Sequence, residues 1–285
     1  MDLWVTEQEG EHIRTGWAVT EVKFSGKSEF QRVDVVETKA YGTMLLLDGL
    51  VMLTDADEFI YHEMISHIPL CLHKNPRRVV VIGGGDGGTV REILKHPDVE
   101  EVILCEIDGL VIDASKKFFP EVAECLNPGY DKRVNVRVGD GVAFIKELHN
   151  EVDVILVDST DPIGPGEGLF SREFYRDVAK ALRPGGIMAA QSESPWFTKE
   201  ALGRIHRNIS AGFKYRKSFV APIPTYPRGS WSWTVASQSA IEPHAYDKAR
   251  FERVEPGLKY LSRDLMTGAF ALPKFYAEKI EGHFS

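Results

Sequence analysis

Hydrophobic and polar positions divide the chain into two regimes. Up to about residue 55, short β-rich runs alternate with turn signals. Residues 17–24 alternate as a strand, and Ser25-Gly26-Lys27 turns the chain. Residues 30–37 form a second run, Gly42 turns, and 43–47 form a third, closed by Asp48-Gly49 before a short strand at 50–53. Consecutive strands joined by tight turns predict an antiparallel sheet.

The period then changes. Apolar Ile60, Met64, Ile65, Ile68 and Leu72 fall at helical spacing over 58–72, with Asp55 or Asp57 as N-cap and with Tyr61 and His62 off the stripe or on its edge. Strands are predicted at 78–82, 101–105, 134–138, 152–157 and 187–191, and helices at 90–95, 110–118, 142–148 and 174–182. This alternation predicts a doubly wound α/β fold with a parallel sheet. A small N-terminal antiparallel β-sheet domain, residues 1–57, would precede an α/β domain, residues 58–285.

Ligands in such sheets sit beyond the carboxyl ends of the strands. Each of the first four predicted strands ends there in a polar motif. The first ends in Gly83-Gly84-Gly85-Asp86-Gly87-Gly88, the second at Glu106-Ile107-Asp108, the third at Gly139-Asp140-Gly141 and the fourth at Asp158-Ser159-Thr160-Asp161-Pro162. A glycine turn opening a helix lets backbone approach a ligand. An acid about 20 residues further on, here Glu106, is placed to bind ribose hydroxyls. Asp140 is placed either to accept from an adenine amine or to cap the next helix. These positions point to an adenosine ligand. Asp86 would repel a phosphate at close range, and the Gly-Lys-Ser/Thr of a P-loop is absent. A cationic nucleoside of the sulfonium type fits better. Asp158 and Asp161 face the same cleft, where an ammonium group would relieve their repulsion. The Pro- and Gly-rich stretch after them reads as a long surface loop suited to a lid.

Composition narrows the field. Of 285 residues, 43% are hydrophobic and 27% charged, enough for a substantial core. The 42 acids and 34 bases give a net charge of −8, which argues against nucleic acid or an anionic membrane as partner. Residues 1–70 carry 13 acids and 5 bases and so account for the whole imbalance. Three separated cysteines, Cys71, Cys105 and Cys125, form no metal or disulfide framework and read as buried packing in a reducing cytosol. Met1-Asp2-Leu3-Trp4 has no basic-then-apolar leader pattern, and no apolar run approaches the ~20 residues of a membrane span. A cytoplasmic protein is expected.

Together the glycine loop, Cys105–Asp108, Gly139–Gly141 and Asp158–Pro165 resemble the spermidine synthases, of the polyamine aminopropyltransferase family. So do Asp57–Met64, Gln191–Ser194 and Ile223–Pro227, in consistent order from about Trp4 to Ser237. The resemblance implies a methyltransferase-like (Rossmann-like) domain behind the small sheet, and transfer of an aminopropyl group from decarboxylated S-adenosylmethionine to putrescine. That donor is a co-substrate, and neither a cofactor nor a metal is implied. Gln31 and Glu106 would bind the ribose and nearby atoms, beside the loop glycines Gly83 and Gly85. Asp140 and Gly141 would hold the adenine, with Pro165 over it. Asp86 and His62 would face the aminopropyl and amine region. Asp158 would accept the proton with Tyr61 beside it, and Asp161, Gln191, Tyr226 and Trp4 would position the diamine. A homodimer or homotetramer is implied. Agmatine, cadaverine or spermidine as acceptor, a diamine N-methyltransferase and a non-catalytic polyamine-binding protein are the alternatives. Trp196, Trp231 and Trp233 read as core aromatics.

Overall fold

The structure, a computed structural model, describes residues 3–9, 11–162, 164–196 and 199–281. Five antiparallel strands form the first sheet in sequence order: β1 (Leu3–Glu9), β2 (Ile13–Lys27), β3 (Arg32–Thr38), β4 (Gly42–Leu47) and β5 (Leu50–Thr54). β2 runs well beyond its predicted 17–24, because its mostly polar, exposed ends carry no apolar alternation. In β4, Met44 through Leu47 are all buried. Leu45 and Leu47, with Val33 and Val35, pack on Val111 and Ala114 of a helix of the second domain. Met44 and Leu46 point the other way, to Trp17 and Val36. One face of the small sheet is therefore covered by the second domain, and the other closes on side chains of the sheet itself.

The helix α1 (Glu58–Leu72) has the predicted bounds. It is buried all round, however, with 13 of its 15 residues inside, Tyr61 and His62 among them. Their expected place at the edge of an apolar stripe is corrected: α1 is wedged into the interior, and its polar groups find partners there, Glu58 in His62 and Arg91, Glu63 in the amides of Lys259, Tyr260 and Leu261, and His67 in Glu92 and His96. Asp57 stands at the N-cap position but makes no capping bond. Its carboxylate is taken by Thr54 and Thr225 instead.

The second sheet contains β6 (Arg78–Gly83), β7 (Glu101–Glu106), β8 (Val134–Val138), β9 (Val152–Asp158), β10 (Leu182–Gln191), β11 (Tyr215–Pro222) and β12 (Ser230–Ser237). Their spatial order is β11-β12-β10-β9-β6-β7-β8. The five strands β6 to β10 are parallel, as predicted, and β12 runs antiparallel to both β10 and β11. The chain winds from β6 outward to β7 and β8, then returns to β9 on the other side, which leaves a switch point between β6 and β9. Helices α2 (Gly88–Leu94), α3 (Gly109–Phe118), α4 (Pro120–Ala123), α5 (Gly141–Glu147), α6 (Arg172–Ala181) and α7 (Lys199–Ile209) connect the strands. The stretch Gly164–Phe170 is a 3-10 helix rather than an irregular loop, and it buries Phe170 at its end. One apolar core lies on the α1 and α2 side of the sheet and a second under α5 to α7. All three cysteines are free and buried. No helix among the described residues is long and apolar enough to cross a membrane.

Candidate active site

At the switch point, β6 and β9 end side by side, with Gly83 paired in register with Asp158. Gly83 and Gly84 have φ of 81° and 68°, a region that side chains rarely adopt. A Cβ at Gly83 would overlap the Asp158 carbonyl, and one at Gly84 would meet its carboxylate. These two glycines therefore allow the loop to fold directly over Asp158.

Beside this junction lies a cleft of about 1060 Å³, its open mouth included. One wall comes from the second domain: Gly84, Gly85, Asp86, Glu106, Asp158 and Asp161, with Tyr61 and His62 from α1. The opposite wall is the small sheet, through Glu7, Gln31, Leu45, Leu47 and Met52. The sequence pattern gave Leu45 and Leu47 no role beyond packing, and Glu7 none at all. Glu7 is buried and accepts from the Val51 amide at 2.9 Å.

On the nucleoside side, Glu106 accepts from Gly85 N at 3.2 Å and from Asp108 N at 2.9 Å. Burial nevertheless pushes its carboxyl up to about 7. Gln31, just ahead of β3, donates to Asp108 Oδ2 at 3.0 Å, which fixes it near Glu106. Asp140 is exposed and caps α5, its Oδ1 accepting from Val142 N at 2.8 Å. Gly141 packs against Ile82, where a Cβ would not fit. Neither of these two, nor Gly83, lines the cleft. The Pro165 side chain lies outside the described residues.

On the amine side, Asp158 is buried. Thr89 donates to its Oδ2 at 2.6 Å, and Tyr61 adds a further hydrogen bond. Burial, with the like charge of Asp86, raises its carboxyl to about 6. Burial and the neighbouring Asp158 keep the Tyr61 phenol protonated, well above its ordinary range. Asp86 accepts from Gly88 N at 2.7 Å and holds His62 Nε2 at 3.1 Å, while Glu58 holds His62 Nδ1 at 2.5 Å. Burial disfavours charge on His62, but these two carboxylates outweigh it and raise the ring to about 10. Burial alone would raise Asp86, yet His62 and the Gly88 amide bring it below the ordinary carboxylate range. His62 is thus an imidazolium, and it is the only cationic side chain among the described residues lining the cleft.

Ligand atoms of His62, Asp86 and Asp158 lie within 4.8 Å of one another. An imidazolium donating from both nitrogens has no lone pair for a metal. The cluster suits an organic cation instead.

Tyr226 lines the cleft, 6.1 Å from the Tyr61 ring, and donates its hydroxyl to Met52 O at 2.6 Å. Gln191 sits below the cleft rather than in it. Its amide donates to the carbonyls of Ser159 and Thr160 at 3.4 and 3.2 Å and so supports the acidic loop. Next to it Glu193, a residue given no role by sequence reasoning, hydrogen-bonds Asp161, and burial followed by the Asp161 charge keeps its carboxyl well above the ordinary range. Trp4 is 58% exposed on edge strand β1 and does not line the cleft. Of the three tryptophans expected in the core, Trp233 is fully buried, Trp231 also reaches the cleft, and Trp196 is corrected to a surface residue at 51% exposure.

Comparison with known proteins agrees with this geometry. The spermine/spermidine synthase domain model matches residues 58–245, and the spermidine synthase tetramerisation domain model matches residues 3–55. A polyamine aminopropyltransferase of Bacillus mycoides (strain KBAB4) is 45% identical over 281 residues, covering 99% of this chain and 100% of the relative. That of Bacillus subtilis (strain 168) is 45% identical over 280 residues, covering 98% and 99%. A solved spermidine synthase in complex with the transition state analogue AdoDATO superposes with a TM-score of 0.94 at 38% identity, over 98% of this chain and 95% of that one. Spermidine synthase from Thermotoga maritima superposes with a TM-score of 0.90 at 37% identity, over 98% and 94%.

Proposed function

Because the chain belongs to the spermine/spermidine synthase family of aminopropyltransferases, we propose that it transfers the aminopropyl group of decarboxylated S-adenosylmethionine to putrescine, giving spermidine and 5′-methylthioadenosine. The observation that carries this reading is the cleft itself. Asp86, Asp158 and Asp161 gather beside Glu106, and His62, the one lining cation among the described residues, is already neutralised by carboxylates. Such a site attracts ammonium and sulfonium groups and repels phosphate.

The chemistry needs a free amine. A primary alkyl amine resembles lysine, at ~10.4, and arrives protonated. Asp158 takes one proton from the amine end nearest the donor, with Tyr61 and Thr89 holding the carboxylate in place. The nitrogen lone pair then attacks the aminopropyl carbon next to sulfur. That carbon–sulfur bond breaks, its electron pair stays on sulfur, and the sulfonium becomes a neutral thioether. Alignment of the two substrates supplies much of the acceleration, up to ~7–11 kcal/mol in well-oriented systems. Asp161, with Glu193 behind it, anchors the acceptor's amine, and Tyr226 and Glu7 bound its chain.

In this reading Gln31 and Glu106 take the ribose, beside Gly83 and Gly85. Asp140 and Gly141 take the adenine, Asp140 through Oδ2, with Pro165 over it. Asp86 and His62 meet the donor's ammonium arm. Gln191 acts indirectly, by supporting the acidic loop. No cofactor or metal takes part. The units are residues 1–57 and 58–285, consistent with the end of β5 at Thr54 and the start of α1 at Glu58. A homodimer or homotetramer is supported by the tetramerisation-domain match and by exposed Leu3, Trp4, Ile13 and Val22 on β1 and β2. Three free thiols fit a cytoplasmic location.

The test is a panel of putrescine, cadaverine, agmatine and spermidine with decarboxylated and ordinary S-adenosylmethionine, read by product mass. Spermidine from putrescine and the decarboxylated donor is expected as the dominant product. Methylated products, or stronger turnover of another amine, would overturn the assignment.

A further inference from the structure

Behind the cleft runs a largely buried chain of charges whose members beyond His62 the transfer chemistry does not itself use. Starting from Asp86, it passes through His62 to Glu58 and on to Arg91. Arg91 grips both oxygens of Glu58, at 3.0 and 2.9 Å, and also donates to Glu92 at 2.9 Å. Glu92 in turn pairs with Lys95 at 2.6 Å. The signs alternate along the whole series. Neither Glu58 nor Arg91 lines the cleft, and both face a second cavity on which Lys95 and Lys259 also open.

A neutral imidazole has one N–H and cannot donate to two carboxylates at once. Glu58 and Asp86 flank opposite ring nitrogens, so the second proton on His62 depends on Glu58 staying charged. Glu58 is itself buried and depends on Arg91 for its countercharge. The ring cannot retreat either, since it packs against Gly88 at the start of α2 so closely that a Cβ there would overlap it.

We propose that Glu58 and Arg91 are positioning residues: they hold His62 with an N–H aimed at Asp86, and through it they fix the Asp86 carboxylate towards the ammonium arm of the donor. The inference rests on decarboxylated S-adenosylmethionine being that donor. The groups facing His62 are Glu58 and the edge-on Tyr61 ring from α1, Asp86 from the glycine loop and Asp158 from β9, with Arg91 from α2 acting through Glu58. Without the Glu58 charge, the high basicity of the ring falls towards the assay range and the grip on Asp86 becomes dependent on pH.

The test is Glu58→Gln, with Arg91→Gln and Arg91→Lys as companions on the part-exposed side of the chain. Glu58→Gln is expected to raise the donor KM about tenfold, the loss of one charge-assisted bond. Its kcat and acceptor KM should change less, within about threefold. The donor KM should climb further between pH 8 and 9, an interval above the titration of Glu106 near 7 and below that of the unchanged His62 ring near 10, where the unchanged protein stays flat. Nitrogen NMR at pH 8 should show a protonated His62 ring in the unchanged protein and a neutral one in Glu58→Gln. Arg91→Gln should move the same readouts in the same direction, and Arg91→Lys should restore most of the loss. If Glu58→Gln does not fold, the two Arg91 variants decide the question. An unaltered donor KM and a protonated ring at pH 8 in the variants would overturn the proposal. An equal loss for donor and acceptor would overturn it as well, by making the effect a general structural one. If the unchanged protein fails to turn over this donor, the functional reading falls instead, and the NMR comparison alone decides the role of Glu58.

Discussion

Thr225 closes on Asp57 with its amide at 2.8 Å and its hydroxyl at 2.6 and 2.7 Å from the two carboxylate oxygens. These residues lie 168 positions apart in the chain. Asp57 ends the small sheet's final turn and precedes α1, whereas Thr225 carries the loop that delivers Tyr226 to the cleft. Thr54 adds its hydroxyl to the same carboxylate at 2.7 Å. Asp57→Ala leaves these buried donors without an acceptor, at a cost of about 2–4 kcal/mol. The expected outcome in calorimetry is a fall in Tm, with a rise in acceptor KM of severalfold as Tyr226 loses its anchor. An unchanged acceptor KM would remove the loop from acceptor binding.

Asp158 must be ionised to accept a proton, and its carboxyl is raised to about 6 by burial and the Asp86 charge. Below that pH it carries a proton and cannot act as the base. The ratio kcat/KM should therefore drop on the acid side with a midpoint near 6. Asp158→Asn should remove this limb and cost about 100-fold or more in kcat. A variant that keeps the acid limb would assign that titration to another group.

The same substitution has the opposite effect on stability. A carboxyl raised from ~3.9 binds more protons in the folded than in the unfolded chain over the window from about 4 to 6. Stability consequently falls as pH rises through this window, and the full deficit is present above it. Asp158→Asn removes the charge and should stabilise the ligand-free protein at pH 7.5, by on the order of 1–3 kcal/mol. A thermal melt should move up by a few degrees. Equal or lower melting would mean that the lost Thr89 hydrogen bond outweighs the relieved charge.

Donor choice depends on Asp86. Ordinary S-adenosylmethionine carries a carboxylate on the arm that ends in an ammonium in the decarboxylated form. Asp86→Asn should weaken binding of the decarboxylated donor by about tenfold while leaving the ordinary one unchanged or improved, as titration calorimetry can measure. Equal losses for both would show that Asp86 does not discriminate between them.

Much of this site was legible because parallel strands deliver their last residues to one edge, so Asp86, Glu106, Asp158 and Asp161 could be placed together from strand ends alone. What escaped notice lies where polarity is hidden inside the fold. β12 alternates small polar and aromatic residues, yet Ser232 and Thr234 are fully buried and hydrogen-bonded to Ser192, Ser218 and Tyr276. A strand buried on both faces with hydroxyls on one of them has no apolar signature. Glu58 and Glu7 were missed for a related reason. Each is an acid with a partner on another element, Arg91 for the first, beside His62 of its own helix, and the Val51 amide for the second. Such pairing exists only once the chain has folded. Trp4 shows the reverse case: carried over by likeness to a family motif, it faces outward in a single subunit.

Leu45 and Leu47 of the small sheet face the cleft, and their neighbours Met44 and Leu46 face the other way. A slip of one residue in the pairing of β3 with β4 would exchange the two sets. The substrate wall would then be built from side chains shaped for a different surface, although every strand survived. Fidelity of strand pairing in a sheet with no acid–base chemistry of its own is thereby a condition for catalysis in the neighbouring one. Chains that fold with that pairing offset would melt cooperatively and still bind substrate poorly, an error visible to an activity assay before any measure of secondary structure.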